Sequence, residues 1–547
     1  MKAGAGDAPG SIAELLARTV ERLGDQPAVV DGDTRLTYSE LDERSRRFGA
    51  ALVEGGVAVG DRVAIWAPNS VEWIVAVLGL WRIGAVLVPI NTRFKGREAA
   101  EILRRSGATA LVTVTDFLDT DLVDLVRNSG VELPELRATI VISGPVPDGA
   151  VGWDEFVAGE SESALAESAL TESALAESAL AEVDRRGAAL SADDRSDILF
   201  TSGTTGVPKG VVQTHGRTLC VALDWVEMTG LRGGDRYLMV NPYFHMFGLK
   251  AGILAAIAAG ATMYPEAVFD VDRVLDRVES DAITVLPGAP TIYQSILDHS
   301  SVGSRDLSSL RVAVTGAADI PVELIRRMHT ELPFEVIVTG YGLTEGGTAV
   351  ATSPGDDFEV IATTVGRPRP SFELRIVDSD GAELPAGEAG EIVLRGASIM
   401  LEYLDDPGAT ADTLTADGWL STGDLGALGE DGNLRIMGRS KDMFIVGGFN
   451  AYPAEIENSL LRHPAVQQVA VIGIPDERLG EVGMAFVVRA PGVEATEAEL
   501  IAWSRAEMAN YKAPRRFAFV DELPINATGK VVKEQLRQQA AASAPSD

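Results

Sequence analysis

Short β-branched runs alternate with helical patterns through most of the chain, and this alternation constrains the fold more than any other feature. Arg62–Trp66, Ala85–Val88, Ala110–Val114 and Thr139–Ile142 are strand-like, and helical stretches over Tyr38–Glu54 and Glu98–Ser106 separate them. Strands interleaved with helices in this way make βα units and a sheet of parallel type. Further strands are predicted at Tyr237–Val240, Ala282–Leu286, Val312–Thr315 and Val336–Thr339. From Phe372 the texture becomes hairpins punctuated by glycine, as in Phe372–Asp378 and Gly390–Arg395. After Arg439 a third texture begins, with strand-like Val469–Ile474 and Ala485–Val488 among helical patterns. The expected fold class is α/β. A large N-terminal domain (1–438) carries βα-layered, parallel-type sheets and a β-rich subdomain; a hinge at 439–442 and a small, mobile α+β domain at 443–547 follow.

Asp plus Glu number 80 against 47 Lys plus Arg, a formal charge of −33 over 547 residues. Such a surface repels nucleic-acid backbones and anionic lipid and argues against phosphate-tracking functions. Cys220 is the single cysteine, so no intramolecular disulfide and no multi-cysteine metal site can form. The five histidines, at 215, 245, 299, 329 and 463, supply no H-x-x-x-H ligand pair. The Gly/Ala-rich start has no apolar signal-type run behind it. The most apolar stretch, Val71–Ile90, is broken by Glu72, Arg82 and Gly84, which reads as a buried helix running into a strand. A cytoplasmic protein without stable membrane insertion is expected.

Residues 160–182 repeat a five-residue unit, with leucines at 165, 170, 175 and 180. Five residues advance an α-helix by about 500°, so successive leucines fall about 140° apart and no single apolar stripe forms. The composition favours helix without a heptad. An exposed low-complexity insertion over 159–183 is expected, with a partner-docking helix as the other reading.

The densest chemical signal is Thr201-Ser-Gly-Thr-Thr-Gly-Val-Pro-Lys-Gly210, directly after the apolar run Asp197–Phe200. Glycines let backbone N–H groups approach phosphate oxygens, hydroxyls add donors without fixed charge, and one lysine adds a cation. Candidate phosphate ligands are therefore Thr201, Ser202, Gly203, Thr204, Thr205, Gly206 and Lys209. It is not a Walker loop, because Val207-Pro208 separates Gly206 from Lys209 and Gly210 replaces the usual Ser/Thr. Glu345, beside Thr344 in a glycine-flanked turn, offers the oxygen donor that Mg²⁺ prefers. Tyr341 offers a flat face for a base.

These strings stand in a recognisable order with others: Tyr341-Gly-Leu-Thr-Glu345, Ser421-Thr-Gly-Asp424, Gly438-Arg-Ser-Lys-Asp442, Gly447-Gly-Phe-Asn450 with Tyr452-Pro-Ala-Glu-Ile456, and Asn526-Ala-Thr-Gly-Lys530. The chain resembles the adenylate-forming superfamily of acyl-CoA synthetases, adenylation domains and luciferases. The likeness spans essentially all of it except the pentapeptide insertion and the two tails. The resemblance implies an ATP-dependent acid–CoA ligase that makes an acyl-AMP, with ATP, Mg²⁺ and coenzyme A as cofactor and co-substrates. It implies Glu345 as metal ligand with Thr201 approaching the metal, and Asp424 accepting from both ribose hydroxyls beside Arg439. It also implies Lys530 bridging carboxylate and α-phosphate, so that Lys530, Glu345 and Lys209 are catalytic. Lys441 matches the hinge, and Gly447 and Gly448 match the glycines beside the pantetheine arm. The implied partners are a small carboxylic acid, ATP and CoA, with no nucleic acid; a homodimer is left open.

By the same resemblance, Asn241-Pro-Tyr-Phe-His-Met-Phe-Gly248 lines the acyl channel, with His245 near the acyl carboxylate. Gly316, Ala317, Gly340 and Gly342 are read as leaving space for a bulky acyl group. Lys250, odd in an apolar stretch, either bonds a polar substrate atom such as a ring ketone or snorkels to the surface. The wording of Asn241–Ile257, Thr284–His299 and Gly447–Glu457 is similar to the actinobacterial branch that attaches CoA to a steroid-derived bicyclic propanoate. Medium- or long-chain fatty acid and aryl acid ligases, or an acyl-AMP ligase loading another acceptor, are the alternatives. Amino-acid activation lacks a clear pocket Asp near Asp224 or Asp235. A scaffold with a dead site is at odds with the complete motif set, and Cys220 has no pKa-lowering cluster around it.

Overall fold

Thr37 starts the long helix Tyr38–Glu54: its hydroxyl accepts from the Glu40 N–H while the Glu40 carboxylate accepts from the Thr37 N–H. Leu41, Ser45, Phe48 and Leu52 recur at helical spacing and form its buried face. That face meets helix Val71–Arg82, which is apolar almost all round and buried along nearly its whole length. The two axes approach through glycine, since a Cβ on Gly79 would lie 2.6 Å from the Ser45 carbonyl and 3.1 Å from the Gly49 nitrogen. The computed structural model describes residues 8–158, 169–201, 208–316, 320–439, 442–446, 449–476, 478–525 and 531–542, without the side chains of 169–176, 449 and 450.

Two large sheets form the N-terminal part, as the alternation predicts. In the first, Val86–Pro89, Arg62–Trp66, Ala108–Thr113 and Ala138–Val141 run parallel. Its far side carries Arg195–Thr201, which turns back antiparallel into Lys209–Thr214, and Glu402–Tyr403 adds to that edge. In the second, Arg236–Met239, Val285–Gly288, Val312–Gly316 and Val336–Leu343 are parallel neighbours. Two expectations shift here. Ala282 has a left-handed φ of 49°, so the strand expected from 282 begins only at Val285. The strand expected to stop at Thr339 runs on to Leu343 and folds back antiparallel as Gly347–Ala351, with Gly347 at φ 84° in the turn.

Phe372–Val377, Ala389–Gly396, Leu420–Leu428 and Leu434–Arg439 form an antiparallel four-stranded sheet around Phe372, Ile392, Leu394, Leu420 and Leu434. The small C-terminal part has its own apolar cores, in which Phe444, Ile456, Val471, Ala485 and Phe517, and Ile472, Phe486 and Leu536, gather among residues after 443. Its central hairpin is Val466–Asp476 with Gly480–Arg489, and Arg516–Phe519 pairs parallel to the latter.

The pentapeptide repeat is more than an exposed loop. Its described C-terminal part lies in helix Ala169–Ala189, where Ala179 and Val183 are buried in the main core. Asp184 receives Arg46 of helix Tyr38–Glu54 at 2.6 Å. Residues with strong helix propensity continue past the repeat into VDRR, where Val183, Asp184 and Arg186, which donates to the Val57 carbonyl, add to the docking begun by Ala179. Among the described residues no helix is long and apolar enough to cross a membrane.

Candidate active site

The phosphate motif is carried on a hairpin, because the apolar run ending at Phe200 and the run after Lys209 pair edge to edge, with Thr201 opposite Lys209. Ser202, Gly203, Thr204, Thr205 and Gly206 lie outside the described residues. The stems are braced from the side. Arg105 donates to the Pro208 carbonyl, and its guanidinium sits 5.5 Å from the centre of the Phe200 ring. Glu345 occupies the tip of the hairpin between Val336–Leu343 and Gly347–Ala351, beside Thr344. Its carbonyl accepts from Met400 N–H at 2.6 Å, and its carboxylate Oε1 accepts from the Tyr403 hydroxyl at 2.9 Å. The Lys209 ammonium stands 4.7 Å from the centre of the Tyr403 ring.

A second cluster joins three sequence-predicted residues. Asp424 and Arg439 are register partners on adjacent strands, and Arg439 Nε lies 3.1 Å from Asp424 Oδ1. The Tyr341 hydroxyl donates to Asp424 Oδ2 at 2.7 Å. Burial and the Asp424 charge push the Tyr341 phenol well above its usual range, so it remains a donor. Thr422, within Ser-Thr-Gly-Asp, donates to the Ile392 carbonyl and accepts from the Asp424 N–H, which fixes the turn. A carboxylate bearing a phenol and a guanidinium is shaped to accept hydroxyl donors from outside as well.

The acyl-side segment is laced to the scaffold. Asn69 donates to the carbonyls of Met239 and Asn241 and accepts from the Tyr243 N–H at 2.8 Å, while Asn241 donates to the Pro287 carbonyl. His245 caps a short turn, its Nδ1 accepting from the Phe247 N–H at 3.2 Å. Phe247 packs edge-on against Trp225, and Tyr243 lies tilted against Trp73 with ring centroids 5.3 Å apart.

Both readings of Lys250 need correction. It is 2% exposed, within the π-helical turn Leu249–Leu254, and its ammonium lies 2.9 Å from Asp197 Oδ1. It neither snorkels nor offers a free amine, because a buried cation requires a buried counter-charge and Asp197 supplies it. Ser196 and Thr218 donate to the other Asp197 oxygen at 2.6 and 2.7 Å.

The glycines read as acyl space face backbone instead. A Cβ on Gly342 would lie 2.2 Å from the Gly347 carbonyl, and one on Gly316 3.0 Å from the Gly340 carbonyl. A Cβ on Gly340 would lie 3.3 Å from both the Val350 carbonyl and Thr348 Cγ2, so close strand approach requires glycine at Gly342 and leaves tight contacts at Gly316 and Gly340.

Ala317, Lys441, Gly447, Gly448 and Lys530 lie outside the described residues. Tyr403, Arg105 and Asp197 are the site-building residues that no motif pointed to. Only the unpaired-looking Lys250 carried a signal, since an isolated lysine in an apolar run implies a hidden carboxylate. Burial and Asp224 push the Cys220 thiol up to about 12, so it has no nucleophilic character.

Mg²⁺ suits the donors present: among the described residues the Glu345 carboxylate takes one hydrogen bond, and the Thr201 hydroxyl makes only a 3.4 Å contact to the Lys209 carbonyl. No group of three or more His, Cys, Asp or Glu able to hold a metal occurs among the described residues. One carboxylate with phosphate oxygens and water is the usual Mg²⁺ arrangement in phosphate-handling sites.

Residues 16–404 match the AMP-binding enzyme family, and residues 455–530 match the AMP-binding enzyme C-terminal domain. The chain belongs to this family and is an AMP-forming acid–CoA ligase, working through an acyl-adenylate. A relative from Rhodococcus jostii, 3-[(3aS,4S,7aS)-7a-methyl-1,5-dioxo-octahydro-1H-inden-4-yl]propanoyl:CoA ligase, is 47% identical over 97% of this chain and 99% of its own length. The Mycobacterium tuberculosis protein of that name is 47% identical over 96% and 98%. The crystal structure of the anthranilate CoA ligase AuaEII with anthranoyl-AMP superposes with TM-score 0.86 at 29% identity, covering 99% of this chain and 100% of that one.

Proposed function

We propose that this ligase couples a steroid-derived bicyclic propanoate to coenzyme A in the cytoplasm. The observation that carries the proposal is the 47% identity, over nearly the whole chain, to two ligases named for that acid. Feruloyl-CoA synthase at 35% and long-chain fatty-acid ligases at 32% represent the other acid classes.

In the first half-reaction an acid carboxylate oxygen attacks the α-phosphorus of ATP, the bond to the bridging oxygen breaks, and pyrophosphate leaves. Lys209 and the loop donors Thr201 to Gly206 hold the departing phosphates, and Lys530 spans the carboxylate and the α-phosphate. Asp424 accepts the ribose hydroxyls, Arg439 supports it, and Tyr341 faces the adenine. Bound Mg²⁺, held by Glu345 and Thr201, supplies charge neutralisation on the phosphates. In the second half-reaction the CoA thiolate attacks the acyl carbonyl and AMP leaves. Rotation at Lys441, within the 439–442 hinge, replaces Lys530 by the Gly447-Gly448 face and keeps water from the mixed anhydride between steps.

The test is pyrophosphate release across bicyclic keto-propanoate, aryl and long-chain acids, with and without CoA. Sustained release is expected only with acid and CoA together, with kcat/KM for the bicyclic acid at least about tenfold above the others. Preference for an aryl or fatty acid overturns the substrate, and silence with every acid overturns the reaction.

A further inference from the structure

Residues 400–404 do three things at once. Met400 N–H binds the Glu345 carbonyl, Leu401 N–H binds the Val212 carbonyl at 2.9 Å, and Leu404 N–H binds the Gly210 carbonyl at 2.7 Å. Between the last two sits Tyr403, 6% exposed and anchored by its own N–H on the Thr410 hydroxyl at 3.0 Å. Its ring therefore cannot drift from the phosphate hairpin, and it presents two different surfaces to two charged side chains.

We propose that Tyr403 is the positioning residue for both charged ends of the nucleotide site: its hydroxyl fixes the Glu345 carboxylate and its ring face holds the Lys209 ammonium. The inference rests on the roles proposed for Glu345 and Lys209. The hydroxyl engages Oε1 alone, a charge-assisted bond that sets the carboxylate plane while the second oxygen stays available to a cation. Lys209 makes no ion pair among the described residues, and its ammonium is a compact charge on a flexible four-carbon stem. Holding it over an aromatic face orders that stem before triphosphate arrives and lowers the ordering cost of binding.

The two surfaces can be separated by substitution. Mn²⁺ titrated by electron paramagnetic resonance, in the presence of a non-hydrolysable ATP analogue, reads the metal end. Calorimetry of the analogue in chelator, without metal, reads the lysine end. Tyr403→Phe keeps the ring and loses the hydroxyl, so Mn²⁺ binding should weaken about tenfold while metal-free analogue affinity stays within about twofold. Tyr403→Met fills similar space without a ring and should also weaken metal-free analogue binding about fivefold. If Tyr403→Met does not fold, the ring role is read in the wild type. One lysine ε-CH₂ resonance should be ring-current shifted and should stay shifted when the analogue binds.

Unchanged Mn²⁺ affinity in Tyr403→Phe overturns the hydroxyl role. Equal or tighter metal-free binding in Tyr403→Met, or no shifted lysine resonance, overturns the ring role. Glu345→Gln is the control: if it leaves Mn²⁺ affinity unchanged, the metal assignment has failed rather than Tyr403.

Discussion

Where the nucleotide is proposed to bind, side chains from separate strands meet one another: Asp424 with Arg439 and Tyr341, Glu345 with Tyr403, Lys209 over an aromatic ring. In the segment proposed to line the acyl channel, the polar groups bond to the scaffold. Asn69 and Asn241 hold carbonyls, His245 caps a turn, and Lys250 neutralises Asp197. Chemistry is thus carried by individual side chains in one half, whereas the other half sets a shape through backbone. Single substitutions should act differently in the two halves, in one by removing a ligand contact and in the other by loosening the fold.

Lys250→Met is the strongest way to break this contrast. It leaves Asp197 charged and buried without its cation, and removing one partner of such a pair costs about 3–5 kcal/mol. The urea midpoint of the N-terminal transition should fall accordingly. Turnover of a bicyclic keto acid and of a plain acid of similar size should fall by the same factor, within about twofold. A selective loss with the keto acid would return Lys250 to the acyl pocket.

Asp424→Ala sharpens the comparison from the other side. Hydrogen bonds to a charged group are worth about 1.5–3 kcal/mol, so KM for ATP should rise on the order of a hundredfold. KM for the acid should move less than about threefold, and the urea midpoint should hardly change. Equal rises in both KM values would mean that the two halves are one mechanical unit.

The same contrast explains what the sequence made legible. Thr201 and Glu345 lie in short polar strings whose chemistry shows without a partner, whereas Asp424 and Arg439 were legible only through the family resemblance, because an acid in a turn and an arginine at a strand end are ordinary by themselves. In the acyl half the sequence showed neither the partner of Lys250 nor the strand that approaches Gly342. Asp197 is 53 positions away in sequence from the lysine it neutralises, and a glycine opposite a neighbouring strand looks, in sequence, like one beside a cavity. Tyr403 carried no signal, because its role depends on Glu402–Tyr403 joining the edge of a sheet built some two hundred residues earlier.

The floor shared by both halves gives the smallest effect. His215 begins the helix after the phosphate hairpin, and its Nδ1 accepts from the Ile12 N–H at 3.3 Å. Burial lowers its pKa to about 4, outweighing the attraction of Asp197 and Asp194. The unfolded chain takes up a proton near pH 6.5, whereas the native imidazole resists until about pH 4. Its contribution to stability is therefore complete above pH 6.5 and is lost as pH falls through that window. Between pH 7 and pH 5 the loss is about 2 kcal/mol. His215→Gln cannot protonate and should remove that share of the pH dependence from urea unfolding curves. Because the group supports the floor rather than either ligand, wild type and variant should show parallel KM profiles for ATP and acid while both remain folded. If the difference between them at pH 5.5 lies in KM for ATP with folding intact, His215 belongs to the nucleotide half instead.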